Sequence, residues 1–176
     1  MDLLIIKHPF QTNFRPIYVQ KGEEMFYKIS AKTQAIMNVD QNYYKAKIIE
    51  EDAVAYSPFT PVKLIDYNCT ENGASLDGRA QTVKKILGIK SKLPIPILHQ
   101  AGIYMFPTTS VKNKDCIWLS YYHIKKYVQH GKQAMIYLAD NSSILINISL
   151  NQLDLQIKRT SQVIAYFHYL NFLKRK

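Results

Sequence analysis

Guanidinium, ammonium and amide side chains at close spacing are the groups that hold a polyanion, and one stretch of the chain concentrates them. Arg79, Gln81, Lys84, Lys85, Lys90 and Lys92 fall between residues 79 and 92, Asn72 stands just before them, and Lys125 and Lys126 follow further on. Lysines suit phosphates, where a compact charge positions a partner without reading its sequence. Arg79, Gln81 and Asn72 could instead donate to adenine N3 or thymine O2, the acceptors that A·T pairs present in the minor groove. The competing readings are a solvated face for the lysines and a structural ion pair for Arg79, the only arginine between Arg15 and Arg159.

The charge distribution favours an anionic partner. The formal net charge is +10, yet residues 1–77 hold eight basic and ten acidic residues, whereas 78–139 hold ten basic residues against the single acid Asp115. Such a stretch cannot neutralise itself through local ion pairs, and gathered on one face it attracts a polyanion. Nucleic acid is the first candidate. A membrane surface fits less well, because no run of about four to eight basic residues adjoins an amphipathic helix, and the terminal Lys174-Arg175-Lys176 is too short to settle it. No apolar stretch approaches the roughly 20 residues of a membrane span. The N-terminus lacks a basic leader and a cleavage site, so the expected location is the cytoplasm.

No P-loop, GxSxG, HExxH or GxGxxG is present, so an enzyme is not expected. Glu50-Glu51-Asp52 reads as a solvated surface rather than a metal site, since neighbours on a strand face opposite ways. Cys69, Cys116, His99 and His123 lack the paired spacing of zinc ligands, and the two thiols read as small core residues. No metal and no cofactor is expected. Trp118, Tyr121 and Tyr122 beside Lys125 and Lys126 could stack on unpaired bases, although aromatics on a strand more often fill a core.

At 176 residues and 47% apolar composition the chain suits one domain, 1–176, with its own core. Strands are expected at Leu3–Lys7, Pro16–Val19, Met25–Ile29, Tyr43–Ile49, Val54–Tyr56 and Val62–Ile65, spaced as in a meander. Asn72-Gly73 and Asp77-Gly78 read as turns, Arg79–Leu87 as two helical turns, and Leu93–Pro96 as extended. In this reading Gly73–Lys92 forms a narrow projection carrying the donors. Strand character returns at Gly102–Phe106, Ile117–Val128, Gln133–Ala139 and Ser143–Ser149, the last two as a hairpin around Asp140-Asn141-Ser142. From about residue 151 to 173, Leu153, Ile157, Ile164, Phe167 and Leu170 form one stripe of an amphipathic helix, capped by Ser149 or Asn151 with Asp154 in its first turn. The fold class is therefore α+β, a β-rich single domain of mostly antiparallel strands with a C-terminal amphipathic helix.

A series of short elements runs in order through the middle of the chain: Lys47-Ile48-Ile49-Glu50, Ile65-Asp66, Cys69, Gly73, Gly78-Arg79, Gly88-Ile89 with Ser91-Lys92, and Pro94-Ile95. It continues through Phe106-Pro107-Thr108, Ile117-Trp118-Leu119 and His123-Ile124. In these elements the chain resembles the competence transcription factor family, ComK, with looser similarity as far as Ser149-Leu150-Asn151 and the final helix. The resemblance implies a bacterial, nucleoid-associated regulator of DNA-uptake genes. It implies binding to double-stranded DNA at A·T-rich boxes, mainly from the minor groove, as a homodimer or pair of dimers. A proteolytic adaptor is the further partner implied. Members tend to continue past the final helix into a tail linked to activation and adaptor capture, and the present sequence stops at Lys176. The Asn72–Gly78 loop is also less aromatic than is common in the family. The other readings are an RNA or single-strand binder using the Trp118–Tyr122 strand, and a protein-interaction module docking through the C-terminal helix.

Overall fold

The structure is a computed structural model, described here for residues 26–173. The expected strands at Leu3–Lys7 and Pro16–Val19, and the Lys174–Lys176 terminus, lie outside the described residues. The order of elements is β1 (Thr33–Asn38), β2 (Ala46–Glu50), β3 (Val54–Ser57), α1 (Pro61–Glu71), α2 (Leu76–Leu87), β4 (Ile95–Leu98) and β5 (Ile103–Pro107). There follow β6 (Ile117–Ser120), β7 (Ile124–His130), β8 (Gln133–Leu138), β9 (Ser143–Ile146) and α3 (Leu150–Leu173). Six strands form one sheet in the order β3-β2-β1-β6-β5-β4, and β7-β8-β9 form a second; every pairing is antiparallel. The β-rich α+β class is as the sequence implied.

The large sheet is covered on both faces. Ile36, Ile48, Met105 and Trp118 point to one side, where they pack against Leu64, Ile65 and Cys69 of α1. Ala35, Met37, Ile49, Ile117 and Leu119 point to the other, against Ile136, Leu138 and Ile144 of the small sheet and Leu153 of α3. A strand buried on both sides shows no alternation of apolar and polar residues. That is why β1, at the centre of the sheet, is absent from the strands expected above. Of the Met25–Ile29 strand expected, residues 26–29 have no regular structure, although Tyr27 and Ile29 are buried.

Two local expectations are corrected between Val62 and Gly78. Val62–Ile65 is helix, not strand: Thr60 accepts a hydrogen bond from Lys63 N at 3.3 Å as N-cap, and Pro61 stands in the first turn, where its missing N–H costs nothing. Asp77-Gly78 is no turn either, because Ser75 caps α2 by accepting from Gly78 N at 3.2 Å, which draws both residues into its first turn. Asn72 ends α1 and Gly73 follows at φ 92.

The hairpin and the final helix form where expected, except that Asp154 is not in the first turn of the helix. Asn141 takes φ 64 in the β8–β9 connection, and Leu138 N donates to Ser142 O at 2.8 Å. Ser149 is the helix cap, in a reciprocal pair with Gln152: Gln152 N donates to Ser149 Oγ, and Ser149 N to Gln152 Oε1, at 3.3 and 3.1 Å. Asp154 lies beyond the first turn, where it accepts from Tyr127 Oη at 2.8 Å and pairs with Lys158 at 2.8 Å. Those two partners hold its carboxyl below the usual range. Among the described residues no helix is long and apolar enough to cross a membrane.

Candidate nucleic-acid interface

The basic cluster is built on α2 and the loop after it. Gln81, Lys84 and Lys85 lie three and four residues apart and share one helical flank. Gly88, at φ 66, ends the helix with its N–H on Lys84 O and turns the chain into the loop that carries Lys90 and Lys92. The expected projection is not observed. Val83 seats α2 against Tyr104 of β5 and Val163 and Ile164 of α3, so the segment lies on the body as a packed helix.

Lys92 holds φ 53, a left-handed conformation that costs a side-chain-bearing residue energy. The loop is fixed there by Gln156, a buried α3 residue. Its Nε2 donates to Lys92 O at 3.0 Å and to Pro107 O at 2.8 Å, and its Oε1 accepts from Arg159 Nη1 at 2.9 Å. Replacing Gln156 with leucine leaves two carbonyls without donors. The expected result is a loss of about 2 kcal/mol, seen as a fall in Tm of roughly 4–8 °C. Faster hydrogen exchange between residues 90 and 93 should accompany it.

Lys84, Lys90 and Lys92 line one cleft of about 640 Å³. Its opposite wall includes Ser110 and Val111, on the loop that carries exposed Lys112 and Lys114. Lys85 and Gln81 are exposed outside it. Among the described residues none of the lysines around this cleft forms an ion pair with a carboxylate, although Asp66 and Asp77 share its lining. The cationic stretch is divided between elements. Lys125 and Lys126 stand on β7 of the small sheet, with Lys125 Nζ donating to Asn141 Oδ1 at 3.0 Å and Lys126 Nζ lying 4.6 Å from the Tyr137 ring centre.

Arg79 is only partly exposed, and its guanidinium is turned inward. Nη1 donates to Pro96 O at 2.6 Å, and Nη2 to Asn72 O at 2.6 Å and Cys69 O at 3.2 Å. Its partners are carbonyls, so the ion pair weighed from sequence is not formed either. α1 has no basic residue in its own last turn, and Arg79 brings a cation from α2 to that negative end. Asn72 spends its amide nearby, donating to Asn68 O at 2.7 Å. The beginning of β4, the end of α1 and the first turn of α2 are thereby tied together under the basic flank.

The aromatic strand is core. Trp118 is 2% exposed and Tyr121 half-buried, leaving only Tyr122 at the surface. Cys69 and Cys116 are free and buried; burial pushes the Cys69 thiol up to about 12, against the opposing pull of Arg79, and raises Cys116 as well. Among the described residues no three His, Cys, Asp or Glu side chains gather into a metal-sized cluster. The feature missed from sequence is the cleft itself, whose walls come from α1, α2, β4, β6 and two loops.

The family model described as ComK protein matches residues 23–169. The competence transcription factor of Bacillus subtilis (strain 168) is 27% identical over 137 residues, covering 77% of this chain and 71% of the relative. No solved structure matches significantly.

Proposed function

From the premise that the chain belongs to the ComK family, we propose that it is a DNA-binding transcription regulator of competence genes, acting in the cytoplasm at the nucleoid. The observation that carries this reading is the set of lysines with no ion pair among the described residues, Lys84, Lys85, Lys90 and Lys92, on α2 and its loop. Lys85 and Lys90 are exposed and Lys84 and Lys92 partly so, and accessible ammonium groups without acid partners release counterions from a phosphate backbone and supply sequence-independent affinity. Gln81, exposed on the same flank as Lys84 and Lys85, is the amide placed to reach a base edge. Arg79 acts on this interface by holding α2 in position, since its two terminal nitrogens donate to carbonyls and its Nε is buried.

The partner is an A·T-rich duplex approached from the minor groove. Narrow A-tract grooves deepen the negative potential that such a cationic flank follows. The protein acts as a homodimer, singly or in pairs. Residues 160–173 of α3 contain no Asp, Glu, Lys or Arg, while Tyr169 and Phe172 are 59% and 56% exposed. Between Lys158-Arg159 and Lys174-Arg175-Lys176, this neutral aromatic segment is the part of α3 on which two copies can meet with least like-charge repulsion.

Titration of an A-tract duplex and a G·C-rich duplex of equal length, at one salt concentration, tests the reading. The A-tract duplex is expected to bind at least tenfold more tightly. Equal affinities would discard minor-groove A·T reading, and no affinity for either would discard DNA as the partner.

A further inference from the structure

The cleft beside α2 has a floor that phosphate binding alone does not require. Leu76, Ala80, Leu93, Ile95, Val111 and Trp118 line it beneath the lysines. Its volume of about 640 Å³ falls in the range of roughly 300–1,000 Å³ typical of small-molecule sites. A duplex backbone presents mainly charged phosphates and gains little from such a surface. The other charged groups of the lining are largely committed. Lys63 Nζ sits 4.3 Å from the Phe59 ring centre, Asp66 accepts from Leu76 N at 2.8 Å, and Asp77 stands at the positive end of α2. What remains is an apolar concavity rimmed by Lys84, Lys90 and Lys92, with Lys92 held in its left-handed conformation by buried Gln156.

We propose that this cleft binds a small amphiphilic anion, its apolar body lying on Leu76, Ala80, Leu93 and Val111 and its oxyanion head group held by Lys84, Lys90 and Lys92. Charge and hydrophobicity coincide at this place, and only a ligand that has both satisfies both. A molecule seated there occupies the ammonium groups assigned above to phosphates, so loading the cleft and holding DNA exclude each other. That consequence rests on the DNA reading; occupancy itself does not.

Trp118 is the only tryptophan in the chain and borders the cleft from the core beneath it, so its emission senses a change in the cleft's occupancy. The full-length protein, without DNA, is titrated with decanoate, 1-naphthyl phosphate, 1-decanol and acetate. A saturable change in Trp118 emission is expected with at least one of the first two, and which one responds tells an acyl body from a ring body. Decanol should bind about tenfold more weakly than decanoate, the value of one charge-assisted contact, and acetate should have no effect. In the variant Lys84→Gln, Lys90→Gln, Lys92→Asn, with asparagine chosen because it tolerates a left-handed backbone, the anion should weaken about tenfold while decanol is unchanged. Absence of saturable binding by both anionic probes, or equal affinity of parent and variant for them, overturns the proposal. In a second arm the binding anion is added to the preformed DNA complex. Release of the duplex supports mutual exclusion, and a complex that survives saturation of the cleft refutes it.

Discussion

Replacing Arg79 with alanine is expected to destabilise the fold by about 3 kcal/mol in the absence of any ligand. The carbonyl oxygens of Pro96 and Asn72 lose the guanidinium together, and that of Cys69 keeps only its backbone donors, Asn72 N and Ala74 N. Two of them belong to the last turn and cap of α1, where the helix ends without a cation of its own. Water entering the gap recovers part of the loss, which is why the figure is below the sum of three charge-assisted bonds. The expected fall in Tm is roughly 6–12 °C. Arg79→Lys should restore only a fraction, because one ammonium cannot span carbonyls on α1 and β4 as a planar fork does. Thermal and urea unfolding of both variants checks this. A variant whose Tm stays within a degree of the parent while DNA affinity falls would return Arg79 to the interface and remove it from the scaffold.

That result separates what a sequence can express from what it cannot. The lysines of the cleft were legible, because their type and the shortage of acids near them are local properties of residues 78–139. The role of Arg79 was not, because its partners are backbone carbonyls, which every residue possesses and no sequence marks. The cleft was hidden for a related reason. Its floor joins Ala80 on α2 to Ile95 on β4 and Trp118 on β6, and those strands come together only through the pairing of β4 with β5 and of β5 with β6.

The same division runs through the fold. The β8–β9 hairpin and α3 were legible from turn chemistry and a helical stripe, both local signals. β1 was invisible because Thr33 to Met37 are buried on both faces and no polar residue alternates with them to mark a surface. α1 was misread because Val62, Leu64 and Ile65 suit a strand by composition. The decisive signals were the Thr60-Pro61 start and the burial of Leu64, Ile65, Asn68 and Cys69 at helical spacing. Asn68 shows why that face is buried. Its amide accepts from Ile29 N at 2.8 Å and donates to Tyr27 O and Leu64 O, each at 2.9 Å, fastening the segment before β1 onto the helix.

Removing the charges from the α2 flank should have the largest effect on DNA. In the variant Lys84→Gln, Lys85→Gln, Lys90→Gln, Lys92→Asn the fold is expected to persist, because none of these ammonium groups pairs with a carboxylate among the described residues. If each lysine neutralises one phosphate, the slope of log K against log salt flattens by about 3.6. Parent and variant should then converge near 1 M salt and differ by about 10³-fold or more at 0.1 M. The ratio of A-tract to G·C-rich affinity should barely move, since phosphate contacts position a protein without reading bases. Lys125 and Lys126, on the other sheet and already engaged with Asn141 and Tyr137, provide the comparison. Their double substitution by glutamine should change the slope by less than one contact, about 0.9. A flattening of equal size in both variants would mean that the duplex runs across both sheets, and the α2 flank would then be only one edge of the interface.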